Sequence, residues 1–222
     1  MNQDIGDPKN RFASGSYVNI EIKDVDADSG SIYGDHLPKM RAVMYEVLER
    51  VNSFRADVKE EVGQDPVDHC VARIKTDRSM LDKCCRRSVP PTTESALKEI
   101  KDAIGVRIVC SFLNDVYTVR NYLLSFEDYA VIHEKDYIRD VKPNGYRSYH
   151  MILQVRGGYY VEIQLRTISM DTWAALEHQM RYKKSPQGND RLIASELKRC
   201  ADELASTDVS MQTIRDMIRG EF

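Results

Sequence analysis

The chain has 222 residues, with 32 Lys+Arg against 35 Asp+Glu and a net charge of −3. That length suits one domain with appendages, burying roughly 70% of its unfolded surface. The near-balanced charge excludes a generic polyanion binder, so any phosphate site must come from local clustering. Cys70, Cys84, Cys85, Cys110 and Cys200 are an odd set without CxxC spacing, which argues against a disulfide framework or a zinc knuckle. The histidines form no HExxH pattern. No secretory apolar stretch and no long apolar run is evident, so a cytoplasmic protein is expected.

Residues 1–35 are rich in Ser, Gly, Asp and Asn and read as a flexible tail, although "YVNIEI" (17–22) alternates like a short strand. From Leu37, the apolar residues Met40, Val43, Met44, Val47, Leu48, Val51, Phe54 and Val58 recur at threes and fours, predicting a long amphipathic helix that Gly63 and Pro66 end. "HCVARI" (69–74) predicts a strand, and Ser79 would cap a short helix to about Arg87. "SVPPTT" (88–93) breaks the chain before a helix to about Lys101. "GVRIVCSF" (105–112) alternates as a strand. "NDVYTVRNYLLSF" (114–126) predicts a helix capped by Asn114 or Asp115, and "YAVIHEKDYI" (129–138) another strand. A helix is expected from Thr167 to about Lys183, with Trp173, Leu176 and Met180 on one side. "SPQGND" (185–190) precedes a long terminal helix, with a break expected near Asp208.

"RSYHMILQV" and "YYVEIQLR" flank "RGG" (156–158). A two-residue loop would mix the faces of these strands, whereas a three-residue Arg-Gly-Gly loop pairs Val155 with Tyr159 and keeps them matched. This register sets His150 against Gln164, Ser148 against Arg166 and Ile152 against Glu162. One face becomes core; the other gathers Ser148, His150, Glu162, Gln164 and Arg166.

Four groups of residues stand out chemically. The run "RIKTDRSMLDKCCRR" carries Arg73, Lys75, Arg78, Lys83, Arg86 and Arg87 against only Asp77 and Asp82. It reads either as a solvated face or as a phosphate grip; without a GxxxxGK[ST] loop, side-chain cations would have to do the gripping. Asp102 precedes a strand and Glu162 lies within one. Two carboxylates converging on one Mg²⁺ are a common way to hold a nucleotide's metal. Arg107 points outward from a strand, and Asp171, Glu177 and His178 lie on a helix. In "VKPNGYRSYH" (141–150), an Asn-Gly turn delivers Tyr146 beside Lys142, Arg147 and His150: a stacking plane, cations and donors suited to a purine nucleotide.

Together, "KDAIGVRIVC" (101–110), "KDYIRDVKPNGYRSYH" (135–150), "VEIQLRTISMDTWAALEHQMRYK" (161–183) and "RIKTDRSMLDK" (73–83) resemble the synthetase domain of the RelA/SpoT family, in particular its short stand-alone members, the small alarmone synthetases. The resemblance implies an α/β (α+β) fold, a nucleotidyltransferase-like mixed sheet surrounded by helices. It implies GTP pyrophosphokinase activity: transfer of pyrophosphate from ATP to the ribose 3′-OH of GDP or GTP, with Mg²⁺. Arg73 and Arg107 would sandwich the adenine, and Lys75 and Lys83 would contact phosphates. Asp102 and Glu162 would bind Mg²⁺, with Glu162 also acting on the 3′-OH. Tyr146 would stack on guanine, with Lys142, Ser148 and His150 near the acceptor's phosphates or ribose. Gln164 and Arg166 would give support, and Asp171 matches a helix position near the guanine.

The domains implied are a tail (1–35), the synthetase domain (36–189) and a helical extension (190–222) suited to assembly, the resemblance favouring a homotetramer. Alternative readings are a pyrophosphotransferase acting on adenosine nucleotides or the tRNA 3′ end, and a non-catalytic nucleotide- or RNA-binding module. The near-neutral charge argues mildly against RNA, and the paired carboxylates argue against a pure binder.

Overall fold

The computed structural model describes residues 19–23, 30–182 and 190–220. Within the stretch expected as a tail, Ile20–Lys23 form a strand (β1), and Tyr33 is fully buried with its hydroxyl donating to the Lys75 carbonyl at 2.7 Å. The remaining elements follow in chain order. They are α1 (Leu37–Val62), β2 (Val67–Ile74), α2 (Asp77–Arg87), β3 (Ile104–Cys110), α3 (Leu113–Leu124), β4 (Ala130–Asp136), β5 (Tyr149–Gln154), β6 (Tyr160–Thr167), α4 (Ile168–Tyr182) and α5 (Asp190–Arg219).

The strands form one six-stranded mixed sheet in the order β1-β2-β3-β6-β5-β4. β1 runs parallel to β2 and β3 parallel to β6; the other neighbours are antiparallel. The β5–β6 hairpin has the register read from its loop length: His150 faces Gln164 and Ile152 faces Glu162, and the Val155 N–H donates to the Tyr159 carbonyl at 2.9 Å. Gly157 and Gly158 turn the chain at φ 82° and 81°, a region open to glycine without a steric cost.

Period-two alternation separates the two faces of the sheet. Cys70, Ala72 and Ile74, Val106 and Ile108, Val161, Ile163 and Leu165, and Met151 and Leu153 are all buried on one side. There they meet α1, whose stripe from Met40 to Phe54 is buried along with them. The opposite face carries cross-strand rows of polar side chains. One row runs Lys23, Arg73, Gly105, Glu162, Ile152, His133; the next runs Glu21, Val71, Arg107, Gln164, His150, Lys135.

Local differences from the sequence reading have simple causes. Thr76, not Ser79, caps α2, because the Thr76 Oγ1 accepts the Ser79 N–H at 3.3 Å. The helix expected before Lys101 shrinks to one wide turn, Ser95–Glu99. At the start of α3, Phe112 is the cap and Asp115 lies inside the helix, accepting the Phe112 N–H at 3.0 Å, so the helix begins ahead of both proposed caps. The terminal helix is unbroken at Asp208, whose carboxylate accepts the Thr167 hydroxyl at 2.6 Å.

α5 packs against α3 and α4 through an unusual inner surface. Arg215 and Asp115 are both buried and paired at 2.7 and 2.9 Å, with the guanidinium 4.2 Å from the Phe112 ring centroid. Gln212 accepts the Asn114 N–H at 3.0 Å. Large apolar residues of the same helix face outward: Met211 is 48%, Ile214 49% and Ile218 81% exposed. Removing one partner of a buried pair costs about 3–5 kcal/mol because the other charge is left behind. Arg215→Ala is therefore expected to lose about that much stability in urea unfolding, and the doubly apolar Asp115→Leu/Arg215→Met variant to recover part of it.

Candidate active site

The polar face of the sheet opens into a cavity of about 580 Å³, lined by Lys83, Arg87, Lys101, Asp102, His133, Lys135, Tyr137, His150 and Glu162 among others. Asp102 stands at the end of the wide turn before β3. Its Oδ2 accepts from Lys75 at 3.0 Å and, more closely, from Lys83. Burial opposes its ionisation, but Lys83 and Lys75 outweigh that and hold the carboxyl below the ordinary aspartate range. Its Oδ1 is buried with no hydrogen-bond partner. A buried, ionised oxygen left unsatisfied beside a second carboxylate on the same cavity wall fits a hard divalent cation, which takes one or two carboxylates and completes its shell with water and phosphate oxygens. Asp102 and Glu162 are the two residues that would hold it.

One arginine is linked to Glu162 through Gln164 and to the neighbouring His150 through Tyr146. Arg166, 5% exposed on the same strand, donates to the Gln164 Oε1 at 3.2 Å, and the Gln164 amide donates to the Glu162 Oε2 at 3.1 Å. Arg166 also donates to the Tyr146 hydroxyl at 2.7 Å, which in turn meets the His150 Nε2 at 2.8 Å. A hydroxyl that accepts from a guanidinium has its own proton to give. Tyr146 therefore donates to Nε2, the imidazole proton resides on Nδ1, and Nδ1 faces the Glu162 Oε1 at 4.0 Å. Burial, then the charges of Arg166, Lys142 and Lys135, push the His150 pKa down from 6.5 to about 3, so the ring is neutral.

A second cavity of about 70 Å³ adjoins the first, lined by Lys23, Arg73, Gly105, Arg107, Glu162 and Gln164. Gly105 is the register partner of both Arg73 and Glu162. Strands lie about 4.8 Å apart, so the missing side chain leaves a notch between the two. A third cavity of about 370 Å³ continues past Arg73 to Lys75, Thr76, Ser79 and Arg86. Glu162 thus stands on the wall shared by the first two cavities.

The structure brings most of the sequence-identified residues together, with several making contacts that the sequence did not indicate. Lys75 and Lys83 turn to Asp102 rather than to open solvent. Ser148 does not reach the polar face: it is fully buried and donates to the Leu165 carbonyl at 3.1 Å. Asp171 bridges Arg166 at 2.9 Å and Arg107 at 3.2 Å. The Lys142 ammonium lies between two rings, 4.3 Å from the Tyr137 centroid and 4.7 Å from that of Tyr146. Sequence reasoning missed His133, Lys135 and Tyr137, which line the first of these cavities from β4 and the residue following it. Their spacing at every second position carried the signal, but only the β4–β5 pairing shows that they share the face of His150.

This arrangement, two carboxylates and a belt of lysines and arginines on one face of a mixed sheet, defines a nucleotide phosphotransfer site. Residues 72–187 match the family model described as "Region found in RelA / SpoT proteins", and the chain belongs to the RelA/SpoT family. It is 40% identical over 162 residues to the GTP pyrophosphokinase YwaC of Bacillus subtilis, covering 69% of this chain and 76% of that one. It is 31% identical to YjbM, a GTP pyrophosphokinase of the same organism, over 81% of this chain and 86% of YjbM. Its fold is similar to that of small alarmone synthetase 1 from Bacillus subtilis bound to its product pppGpp, with a TM-score of 0.71 and 29% identity over 83% and 96% of the two chains. The same protein bound to AMPCPP matches at 0.64 and 28% identity, over 82% and 94%.

Proposed function

We propose that this chain is a GTP pyrophosphokinase, a small alarmone synthetase that moves the β,γ-pyrophosphate of ATP to the ribose 3′-OH of GDP or GTP. The products are AMP and ppGpp or pppGpp. The observation that carries the reading is the position of Glu162 on the wall between two cation-lined cavities, where an acceptor hydroxyl and a donor phosphate would meet. GTP pyrophosphokinase is what the curated relatives are named.

In this reading the donor lies over Arg73 and Arg107, its phosphates passing the Gly105 notch toward Lys75 and Lys83. These lysines exchange part of their contact with Asp102 for phosphate oxygens. The acceptor takes the larger cavity. Its base displaces the Lys142 ammonium from between Tyr137 and Tyr146, freeing that cation for the acceptor's phosphates, while Lys135 and His150 line the ribose side. The 3′-oxygen bonds to the β-phosphorus, the bond from that phosphorus to the α,β-bridging oxygen breaks, and AMP leaves with that oxygen. Glu162 takes the 3′-OH proton; Gln164 and neutral His150 keep its carboxylate turned toward the cavity. A Mg²⁺ held by Asp102 and Glu162 supplies charge neutralisation at the transferring group when bound. Ser148 acts through β6 by holding the Leu165 carbonyl. With a nucleophile approaching a multiply charged phosphate, alignment and charge neutralisation supply most of the rate.

No helix among the described residues is long and apolar enough to cross a membrane, and a cytoplasmic location suits nucleotide substrates. Leu192, Val209, Met211, Ile214, Met217 and Ile218 leave a half-exposed or more exposed apolar stripe along α5, which supports a homotetramer joined through this helix.

Purified protein with ATP, Mg²⁺ and GDP or GTP is expected to yield AMP and a 3′-pyrophosphorylated product, whereas transfer only to adenosine nucleotides or tRNA would reassign the acceptor. Glu162→Gln should lower kcat by about 10²-fold or more with unchanged thermal unfolding; a folded variant with near-native turnover would remove Glu162 from the proton transfer. Tyr146→Ala should raise the GDP KM about tenfold, the scale of one lost base stack, with ATP binding little altered. Light scattering of the full chain should give the mass of a tetramer, and a monomer would reject assembly through α5.

A further inference from the structure

The turn that presents Tyr146 is seated on the C-terminal helix. Gly145 has φ +90°, and a Cβ placed on it would lie 2.7 Å from the Ala201 Cβ and 3.2 Å from the Lys198 Cα. The turn therefore touches the helix backbone, at a point where both chains have the least side chain. Arg147, the residue after Tyr146, spans the same junction. Its Nη1 donates to the Gly145 carbonyl at 3.1 Å and to the Ala201 carbonyl at 3.2 Å, and its Nη2 donates to the Asp202 Oδ1 at 2.9 Å. One planar guanidinium thus ties the turn's own carbonyl to the helix. α5 is itself held near this point by the Trp173 Nε1, which donates to the Leu197 carbonyl at 2.8 Å.

We infer that Arg147 and the Ala201–Asp202 segment of α5 are positioning elements for the acceptor nucleotide: they clamp the 142–146 turn so that Tyr146 and Lys142 are set for the base and phosphates. The inference rests on the assignment of this turn to the acceptor. Tyr146 is tethered on its other side by Arg166 and His150, so its ring is fixed at the hydroxyl by the catalytic network and at the backbone by the helix. Loosening the backbone end leaves the Glu162 network and the Arg73–Arg107 side in place. The cost therefore falls on acceptor capture rather than on donor binding, since an unclamped turn must be ordered each time a nucleotide binds.

The test uses the full chain, with steady-state kinetics for both nucleotides and calorimetric titration of GDP alone, which reads the acceptor site without requiring turnover. Arg147→Ala is expected to raise the GDP KM and Kd about tenfold, on the scale of lost charged hydrogen bonds, with the ATP KM unchanged and Arg147→Lys restoring part of the loss. Asp202→Ala, at a half-exposed position that leaves the core intact, should act in the same direction by about threefold. Arg199→Ala, which on the same helix pairs with Glu196 and Glu203 among the described residues, should change neither nucleotide. Unchanged GDP affinity in both Arg147→Ala and Asp202→Ala overturns the inference, as does an equal loss for ATP and GDP. If the wild-type chain failed to transfer pyrophosphate while the GDP titrations still separated the variants, the activity reading would fall and the clamp would stand.

Discussion

The buried guanidinium of Arg166 organises the rest of the site. A charge with 5% exposure has to be answered by a carboxylate and have most of its N–H donors used, and here the buried Nε is left without a partner among the described residues. Asp171 supplies the charge, and Gln164 and the Tyr146 hydroxyl use donors. Those two acceptors then have their own orientations decided for them: the Gln164 amide is left facing Glu162, and the tyrosine proton is left facing His150. One desolvated cation on β6 thereby sets the rotamer of a carboxylate four residues away and the tautomer of a histidine on the next strand. The arrangement is one of pre-organisation, because a side chain already held in place need not be ordered when a ligand arrives.

The sheet supplies the second constraint. Because paired residues share a face, a functional row can be assembled from six strands by register alone. Lys23, Arg73, Glu162 and His133 come from four distant parts of the chain and still fall in one line. Gly105 is the position in that line where a missing side chain matters, since it separates Arg73 from the Glu162 carboxylate without closing the space between them. Asp102 reaches the same cavity from the turn before β3, where Lys75 and Lys83 keep it ionised despite burial. The aspartate offsets part of the charge of the two lysines, which lets all three remain largely buried.

α5 departs from the usual arrangement of an amphipathic helix. Beside Ala201 and Leu204, its inward contacts are polar, through Arg215, Gln212, Asp208 and the carbonyls of Leu197 and Ala201, while many of its large apolar residues face out. Directional bonds fix the position of a helix more narrowly than an apolar seam does, and this helix carries the turn that holds Tyr146. The outward stripe is left uncovered among the described residues.

The sequence by itself determined a good deal. Alternation identified the strands, because side chains on a strand must take opposite faces. The three-residue Arg-Gly-Gly loop settled the β5–β6 register, because a two-residue loop would have driven the core residues to the polar side. Four motifs in order named the family. Strand order and the partners of each charge lay beyond local pattern. No periodicity says that β1 adds in parallel beside β2, or that β4 brings His133, Lys135 and Tyr137 to the face of His150. Nor could spacing show that Lys75 and Lys83 meet on Asp102, that Ser148 turns inward to a carbonyl, or that Arg147 reaches a helix more than fifty residues later. Such contacts depend on which distant segments are brought within a few ångströms. Only the packed tertiary structure decides that, since a charge or donor takes whichever partner burial leaves within reach.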